Sequence, residues 1–169
     1  MKKVYIISAT SGNNLKLANS VLEVASQNKG ASFEVLNLED FSLPVYTPKE
    51  ESNGIPADAK KITDMLTDCA GFMLFAPEYN GSIPPIVTNA VAWISRSGDE
   101  DWRASFNGKF TIVGTHSGGG GLKVCQAMRA QLEHLGSVVL PRNILTNYQK
   151  PMNPESVETI VNQFVKYLK

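Results

Sequence analysis

Residues 3–14 read KVYIISATSGNN, and this stretch decides the fold. Residues 3–8 form a short apolar run rich in β-branched side chains, which is typical of a buried strand. Residues 8–14 form a polar loop of hydroxyl and amide side chains with one glycine, and helical periodicity begins directly after it. Because the free N–H groups and the positive dipole of a helix N-terminus attract anions, the loop predicts a phosphate site. The alternative is an ordinary helix cap, since serine, threonine and asparagine all cap helices.

The chemistry of this loop limits the kind of phosphate that it suits. It contains no basic side chain before Lys16, so its donors are neutral and fit one terminal monophosphate better than a triphosphate. Neither the GxxxxGK[ST] pattern of nucleoside triphosphate sites nor the GxGxxG pattern of dinucleotide sites occurs in it.

The rest of the sequence repeats this alternation of strand and helix. Strands are predicted over residues 3–8, 32–38, 71–76, 110–115 and 137–140, and helices over residues 14–28, 57–67, 85–95, 122–135 and 154–168. Strict alternation predicts a single α/β domain over residues 1–169, a three-layer sandwich whose five-stranded parallel sheet has helices on both faces. The economical strand order at this length is the flavodoxin-like 2-1-3-4-5, in which ligands bind beyond the carboxyl ends of the strands.

Charge and cysteine content argue against several classes of protein. The 169 residues include 16 basic and 16 acidic side chains, so no basic excess is available for nucleic acid or an anionic membrane surface. Cys69 and Cys125 form neither a zinc-type spacing nor a disulfide framework, which favours a cytoplasmic protein with reduced thiols. Two isolated histidines predict no metal site, and no apolar run approaches the roughly 20 residues of a membrane helix.

The loop after the third strand, residues 76–84, reads APEYNGSIP. Proline and glycine make it a stiff turn, and Tyr79 and Asn80 would be left on a surface tip. A flat aromatic ligand would explain them, because an aromatic wall and amide groups could contact its face and its edges. The alternative is a helix entry with Ser82 as the N-cap and Pro84 in the first turn.

The loop after the fourth strand, residues 115–121, reads THSGGGG. Four consecutive glycines would let the backbone approach a ligand closely, although a flexible connector is the alternative. His116 stands at the strand end, where it could contact a bound ring, but a structural histidine is the favoured interpretation.

Two connecting segments carry weaker signals. Residues 46–56 (YTPKEESNGIP) are long and polar, and they predict part of a dimer contact or a pocket rim. Residues 97–101 (SGDED) predict a solvated acidic turn.

Residues 77–84, followed by residues 89–90 (NA) and 93–96 (WISR), resemble the signature of the NADPH-dependent FMN reductase family, P-E-Y-N-x-S-x-P and then K-N-A-x-D-W-x-S-R. The similarity extends to residues 38–44 (LEDFSLP) and 106–109 (FNGK). The family includes bacterial quinone, chromate and azo-dye reductases. The first loop departs from the family pattern, because it is shorter and lacks the usual arginine; it resembles the T-x-T-G-N-T loop of flavodoxins.

The resemblance implies FMN as the cofactor, with NADPH or NADH as co-substrate. Contacts to the FMN phosphate then fall on six residues of the first loop: Ser8, Thr10, Ser11, Gly12, Asn13 and Asn14. Contacts to the ribityl chain and the isoalloxazine ring fall on five residues of the second loop: Pro77, Glu78, Tyr79, Asn80 and Ser82. Ser117 and Gly118 would face one edge of the ring.

The implied activity is hydride transfer from the nicotinamide nucleotide through FMN to a small acceptor, such as a quinone, a flavin, an azo compound or a metal oxyanion. This scheme requires no catalytic nucleophile or general base, and Glu78, a lone carboxylate, is more simply structural. The resemblance also implies a homodimer or homotetramer. Two alternatives stay open: a flavodoxin-type electron carrier, and a domain that keeps the fold without the flavin.

Overall fold

The strand that comes first in the sequence lies at the centre of a parallel sheet. In the computed structural model, which describes residues 1–98 and 101–168, this strand is β1 (Lys2–Ser8), and it is buried from Val4 onward. Its continuous apolar composition follows from this position, because helices cover both faces of the sheet. Residues 99 and 100, in the predicted acidic turn, lie outside the described residues.

The neighbouring strands give the sheet its predicted order. β1 pairs with β2 (Ala31–Asn37) on one side and with β3 (Gly71–Phe75) on the other. β3 pairs with β4 (Phe110–His116), and β4 pairs with β5 (Val138–Val139). All of these pairs are parallel, and the order β2-β1-β3-β4-β5 confirms the flavodoxin-like topology. The five predicted strands agree with these bounds to within one residue at each end.

The sheet also contains a strand that the sequence analysis did not predict. β6 (Ile144–Thr146) pairs with the last residues of β4, whereas β5 pairs with its first residues. Pro141, between the two short strands, has no N–H to donate to a ladder. Arg129 bonds to the chain at this interruption, because its guanidinium donates to the carbonyl oxygens of Val139 at 3.0 Å and Leu140 at 2.6 Å.

Helices cover both faces of the sheet. They are α1 (Asn13–Ala25), α2 (Pro48–Glu51), α3 (Ala57–Asp68), α4 (Pro85–Ser97), α5 (Leu122–His134) and α6 (Pro154–Tyr167). α1 and α6 pack on one face, and α3, α4 and α5 pack on the other, each group over its own apolar core. The predicted three-layer sandwich is therefore confirmed. Within the described residues, none of these helices is both long enough and apolar enough to cross a membrane.

Two residues of the family-like pattern hold the connection that leads to α2. Asn89 donates to the carbonyl oxygen of Pro44 at 3.0 Å and accepts from the Tyr46 N–H at 2.8 Å. The indole N–H of Trp93 donates to the same Pro44 carbonyl at 2.7 Å. Asn89 and Trp93 belong to one piece of the family-like pattern, and Pro44 belongs to another, residues 38–44. The hydrogen bonds between them hold residues 38–44 against α4, which explains why the two pieces occur together. The unpredicted α2 lies in the polar segment 46–56.

Replacing Arg129 with alanine should lower the free energy of unfolding by about 2 kcal/mol, because two carbonyl groups at the interrupted strand lose their donor. Urea unfolding measures this change. Arg142→Ala is the matched control, since its guanidinium donates to the Ser156 hydroxyl at the surface, and its effect should stay below about 0.5 kcal/mol. Equal effects of the two variants would contradict this role for Arg129.

Candidate functional site at the carboxyl edge of the sheet

The loop between β1 and α1 leaves backbone donors open at the start of the helix. The Ala9 N–H donates to the carbonyl oxygen of Phe75 at 2.8 Å, which fixes the beginning of the loop to β3. Gly12 is the N-cap of α1 and supplies no capping side chain. Within the described residues, no acceptor is bonded to the backbone N–H groups of Gly12, Asn13 or Asn14. Open donors and a positive helix dipole together form the arrangement that binds phosphate.

Two polar side chains of this region turn into the protein. Ser8 is fully buried, and its hydroxyl donates to the Thr10 carbonyl oxygen at 2.8 Å. Asn14 is also buried; its amide donates to the His116 carbonyl oxygen at 3.1 Å and accepts from the His116 N–H at 2.8 Å. The Asn14 side chain therefore ties the first loop to the end of β4. The predicted phosphate contacts of Ser8 and Asn14 consequently rest on their backbone groups.

The first loop has an acidic neighbour that was not singled out from the sequence. Glu39 lies in a 3-10 turn (Leu38–Asp40) directly after β2, and its carboxylate accepts from the Ser11 N–H at 2.7 Å. Asn37 donates to the Ser11 hydroxyl oxygen at 3.0 Å, so the hydroxyl proton can be directed to another acceptor. Hydrogen bonds from the Ser11 side chain and backbone hold the pKa of Glu39 below its usual value. Parallel pairing of β1 and β2 brings these residues together, because both strands end at the same edge.

The second loop folds as a tight turn that exposes an aromatic ring. Tyr79 and Ser82 exchange two backbone hydrogen bonds of 3.1 and 3.0 Å. Asn80 and Gly81 between them have φ of 52° and 75°, in the left-handed region that asparagine and glycine tolerate. The Tyr79 side chain is half exposed, as expected of an aromatic wall. The alternative with Ser82 as a helix cap is wrong, because Pro84 is the N-cap of α4.

Glu78 links the second loop to the helix that follows the third. Its carboxylate accepts from the Val124 N–H at 3.4 Å, in the first turn of α5. That turn contains no acidic residue of its own, so Glu78 supplies the negative charge that the helix dipole favours. This contact supports the structural interpretation of the carboxylate.

The third loop combines a buried serine with exposed glycine backbone. Ser117 is buried; its N–H donates to the Thr146 carbonyl oxygen at 3.1 Å, and its hydroxyl accepts from the Gly119 N–H at 3.2 Å. Gly118 is exposed, with open space where a side chain would lie. Gly121 has a φ of 68°, and a Cβ there would meet a methyl group at 2.5 Å, so glycine is required. The loop therefore leaves its backbone at Gly118 accessible to a ligand.

His116 has one ring nitrogen paired and one unpaired. Its Nδ1 lies 3.1 Å from the hydroxyl oxygen of Thr146, and that hydroxyl donates to the Thr115 carbonyl oxygen at 3.3 Å. With the Thr146 hydroxyl donating to that carbonyl, its oxygen accepts from Nδ1, and a neutral ring then presents a lone pair on Nε2. The Nε2 atom is buried and has no partner among the described residues. Such an acceptor is rare in proteins, and this one lies at the carboxyl end of β4.

A fourth loop, after β6, completes this edge of the sheet. Tyr148 is exposed, and its ring meets His116 edge-on with centroids 5.0 Å apart. Its hydroxyl lies 3.2 Å from the Asn13 amide nitrogen. Tyr148 was not predicted as a site residue because the three-residue β6 was not recognised as a strand. The available signal was the run Ile-Leu-Thr over residues 144–146, two of them β-branched, followed within two residues by an aromatic residue.

Thiol and metal chemistry have no support at this edge. Cys69 and Cys125 are buried; burial raises the pKa of the Cys125 thiol to about 12 and also raises the pKa of Cys69. In the part of the chain that the structure describes, no group of three histidine, cysteine, aspartate or glutamate side chains could hold a metal ion. The edge offers neutral hydrogen-bond donors, aromatic surface and one buried acceptor, which are the groups of a binding site.

A comparison with protein families identifies the group to which this site belongs. Residues 1–150 match the family described as NADPH-dependent FMN reductase. The chain belongs to this family. Its FMN reductase fold and the predicted enzyme class are thereby confirmed: an oxidoreductase that uses FMN, with NAD(P)H as the electron donor.

Individual relatives of this FMN reductase family member support the same assignment. A quinone reductase from Escherichia coli K12 is 29% identical over 136 residues, which cover 77% of this chain and 70% of that protein. A 2-hydroxy-1,4-benzoquinone reductase from a Burkholderia species is 29% identical over 129 residues, which cover 75% of this chain and 66% of that protein. Among solved structures, the flavoenzyme NAD(P)H:(acceptor) oxidoreductase from Paracoccus denitrificans superposes with a TM-score of 0.80 over 99% of this chain and 97% of that one, at 21% identity. That structural likeness shows a shared fold.

The Ser11 amide should report the ionisation of Glu39 in an NMR pH titration, with a midpoint below the usual pKa of a glutamate side chain. A lowered folded pKa means that the charge-assisted hydrogen bond contributes stability above the unfolded pKa and loses it as the pH falls through the folded pKa. Glu39→Gln is the control, because the pH dependence of the Ser11 amide should disappear. A midpoint at or above the usual pKa of a glutamate side chain in the wild-type protein would refute the interaction.

Proposed function

We propose that this chain passes electrons from NADH or NADPH, through FMN bound at the carboxyl edge of the sheet, to a small acceptor such as a quinone. The observation that carries the proposal is that the open N-terminus of α1, the exposed Tyr79 ring and the unpartnered Nε2 of His116 all lie at the carboxyl ends of β1, β3 and β4, on one edge of the sheet. The relatives named as quinone reductases support that acceptor class. Flavins, azo compounds and metal oxyanions are the other acceptors that the family resemblance implies.

The first loop fits the phosphate of FMN. The unpaired N–H groups of Gly12, Asn13 and Asn14 supply donors, and the hydroxyls of Thr10 and Ser11 can add to them. All of these donors are neutral, and the α1 dipole provides the positive potential. One terminal monophosphate matches this donor set.

The second and third loops fit a flat ring. Tyr79 offers an aromatic face, and Asn80 and Ser82 are exposed on the same turn. Gly118 allows the backbone to approach the ring edge, next to the buried Ser117. Pro77 and Glu78 contribute through their backbone, since the Glu78 carboxylate is bonded to α5.

When bound at this edge, FMN would supply the redox chemistry, namely hydride uptake from the nicotinamide and electron delivery to the acceptor. The protein residues bind and orient the reactants and require no nucleophile of their own. Backbone N–H groups of the second and third loops would stabilise negative charge at the ring edge that they face. Exposure of Tyr79 and Gly118 leaves this side of the site open to a nicotinamide and to an acceptor in turn.

His116 is the residue that we add to the predicted binding set. Its backbone is fixed by Asn14 and its Nδ1 by Thr146, so the ring cannot turn to pair Nε2 elsewhere without losing a bond. A ligand that brings an N–H or O–H donor would satisfy this buried acceptor. Flavins carry such donors in the ring imide and in the ribityl hydroxyls.

A flavodoxin-type electron carrier is the second candidate function. The arginine-free loop over residues 8–14, which resembles the flavodoxin loop, favours it. Such a carrier would bind FMN at the same edge and exchange electrons with partner proteins without direct reduction by NAD(P)H.

We propose that the chain works as a single domain, residues 1–169, in a cytoplasmic homodimer or homotetramer. Exposed apolar side chains in the connection before α3, Val45 and Ile55, support a self-contact there. The acceptor reaches the flavin as a small molecule, and neither nucleic acid nor a membrane takes part.

Anaerobic absorption spectroscopy tests the proposed activity. FMN added to the purified protein should bind, and NADH or NADPH should bleach its visible absorption promptly; a quinone should then restore the colour. Bleaching by dithionite through a semiquinone, without any response to either nucleotide, would establish the carrier instead. An absence of flavin binding at micromolar FMN would overturn both candidates.

His116→Phe should weaken FMN binding about tenfold, because it keeps a ring beside Tyr148 and removes the Nε2 acceptor. His116→Gln is the matched variant, since its carbonyl oxygen can reach the position of Nε2, and its affinity should stay within about threefold of the wild type. Quenching of flavin fluorescence measures both affinities, with thermal unfolding as the folding control. Wild-type affinity in the phenylalanine variant would remove His116 from the site.

A further inference from the structure

A carboxylate occupies a donor of the loop that is proposed to bind phosphate. The Ser11 N–H, one residue before the N-cap of α1, donates to Glu39 at 2.7 Å. Ser11 is exposed, so this N–H lies where a ligand anion could reach it. Glu39 thus makes, from within the protein, the kind of contact that a phosphate oxygen would make.

No side chain of the loop itself compensates for this charge. The loop contains no basic residue, and the first one in the sequence after it is Lys16, an exposed residue in the first turn of α1. Among the described residues, Glu39 is the one charged side chain that hydrogen-bonds to residues 9–12. Hydrogen bonding from Ser11 keeps the pKa of Glu39 below its usual value, so the carboxylate is ionised at neutral pH.

A bound phosphate group and this carboxylate conflict in two ways. They compete for the Ser11 N–H, which can serve one strong acceptor at a time. They also carry like charges within a few ångströms of the same loop, where repulsion is incompletely screened. A flavin without a phosphate meets neither cost, because its ring and ribityl chain contact the other loops.

We propose that Glu39 is a specificity-determining residue, an internal competitor that lowers affinity for phosphorylated flavins and leaves affinity for the unphosphorylated flavin nearly unchanged. The inference rests on the proposed flavin site, and it identifies Glu39 as the residue that sets the preference of that site between phosphorylated and unphosphorylated flavins. The wild-type site therefore discriminates weakly between FMN and riboflavin.

Paired titrations of the full chain with FMN and riboflavin test the role of Glu39, with flavin fluorescence quenching as the readout. Glu39→Gln removes the charge and keeps an oxygen that can accept from Ser11. It should raise the affinity for FMN about fivefold at low salt, while riboflavin affinity stays within about twofold. The gain for FMN should shrink in 0.5 M salt, to about twofold or less, because the site is exposed.

Two further variants separate competition from simple loop support. Asp40→Asn removes a charge from the same turn, where Asp40 accepts from Asn37 and not from the loop backbone; its effect on the FMN-to-riboflavin ratio should stay below about twofold. Glu39→Ala removes the acceptor as well and should also raise the ratio. If Glu39 only organises the loop, Glu39→Ala weakens both flavins and Glu39→Gln leaves the ratio unchanged, which overturns the inference.

The same titrations distinguish a failure of the proposed flavin site from a failure of the role of Glu39. If neither flavin binds the wild type or Glu39→Gln, the proposed function is overturned, and this inference with it. Tight binding of both flavins with an unchanged ratio in Glu39→Gln overturns the role of Glu39 alone.

Discussion

Parallel pairing brings the carboxyl ends of β1, β3, β4 and β6 to one edge of the sheet, and each helical connection crosses a face to reach the next strand. Four loops that are far apart in the sequence consequently meet beyond β1, β3, β4 and β6. The buried Asn14 amide then fixes the first loop to the backbone of His116, 102 residues away in the chain. Without this pairing of strands, no local feature of the loops would create a shared site.

The polar residues at this edge divide into two groups with different tasks. Side chains that look like ligand contacts in the sequence, such as Ser8, Glu78 and Ser117, are bonded within the protein and shape the loops. Backbone N–H groups and exposed rings remain for the ligand. Recognition through backbone groups depends on loop conformation more than on side-chain identity, which explains how the first loop can depart from the family pattern and still present open N–H donors at the start of α1.

Physical reasons explain why some elements and site residues were predicted from the sequence and others were missed. β1 and β3 were predicted because a strand buried on both faces must be continuously apolar, and α6 because its apolar stripe repeats every three or four residues. β6 and α2 were missed because three or four residues carry too little periodicity to detect. Glu39 and Tyr148 were missed for another reason: their importance lies in contacts with Ser11 and His116, and side-chain contacts between distant segments leave no local pattern.

The interruption between β5 and β6 has a consequence for the behaviour of the protein at high concentration. A long, regular outer strand offers a row of unpaired backbone groups onto which a strand of another molecule can add. Here the outer position beside β4 is divided between β5, with two residues, and β6, with three. The Arg129 guanidinium is bonded to carbonyl groups where β5 ends. Such a border gives an incoming chain no continuous template, so this side of the sheet is protected against edge-to-edge aggregation.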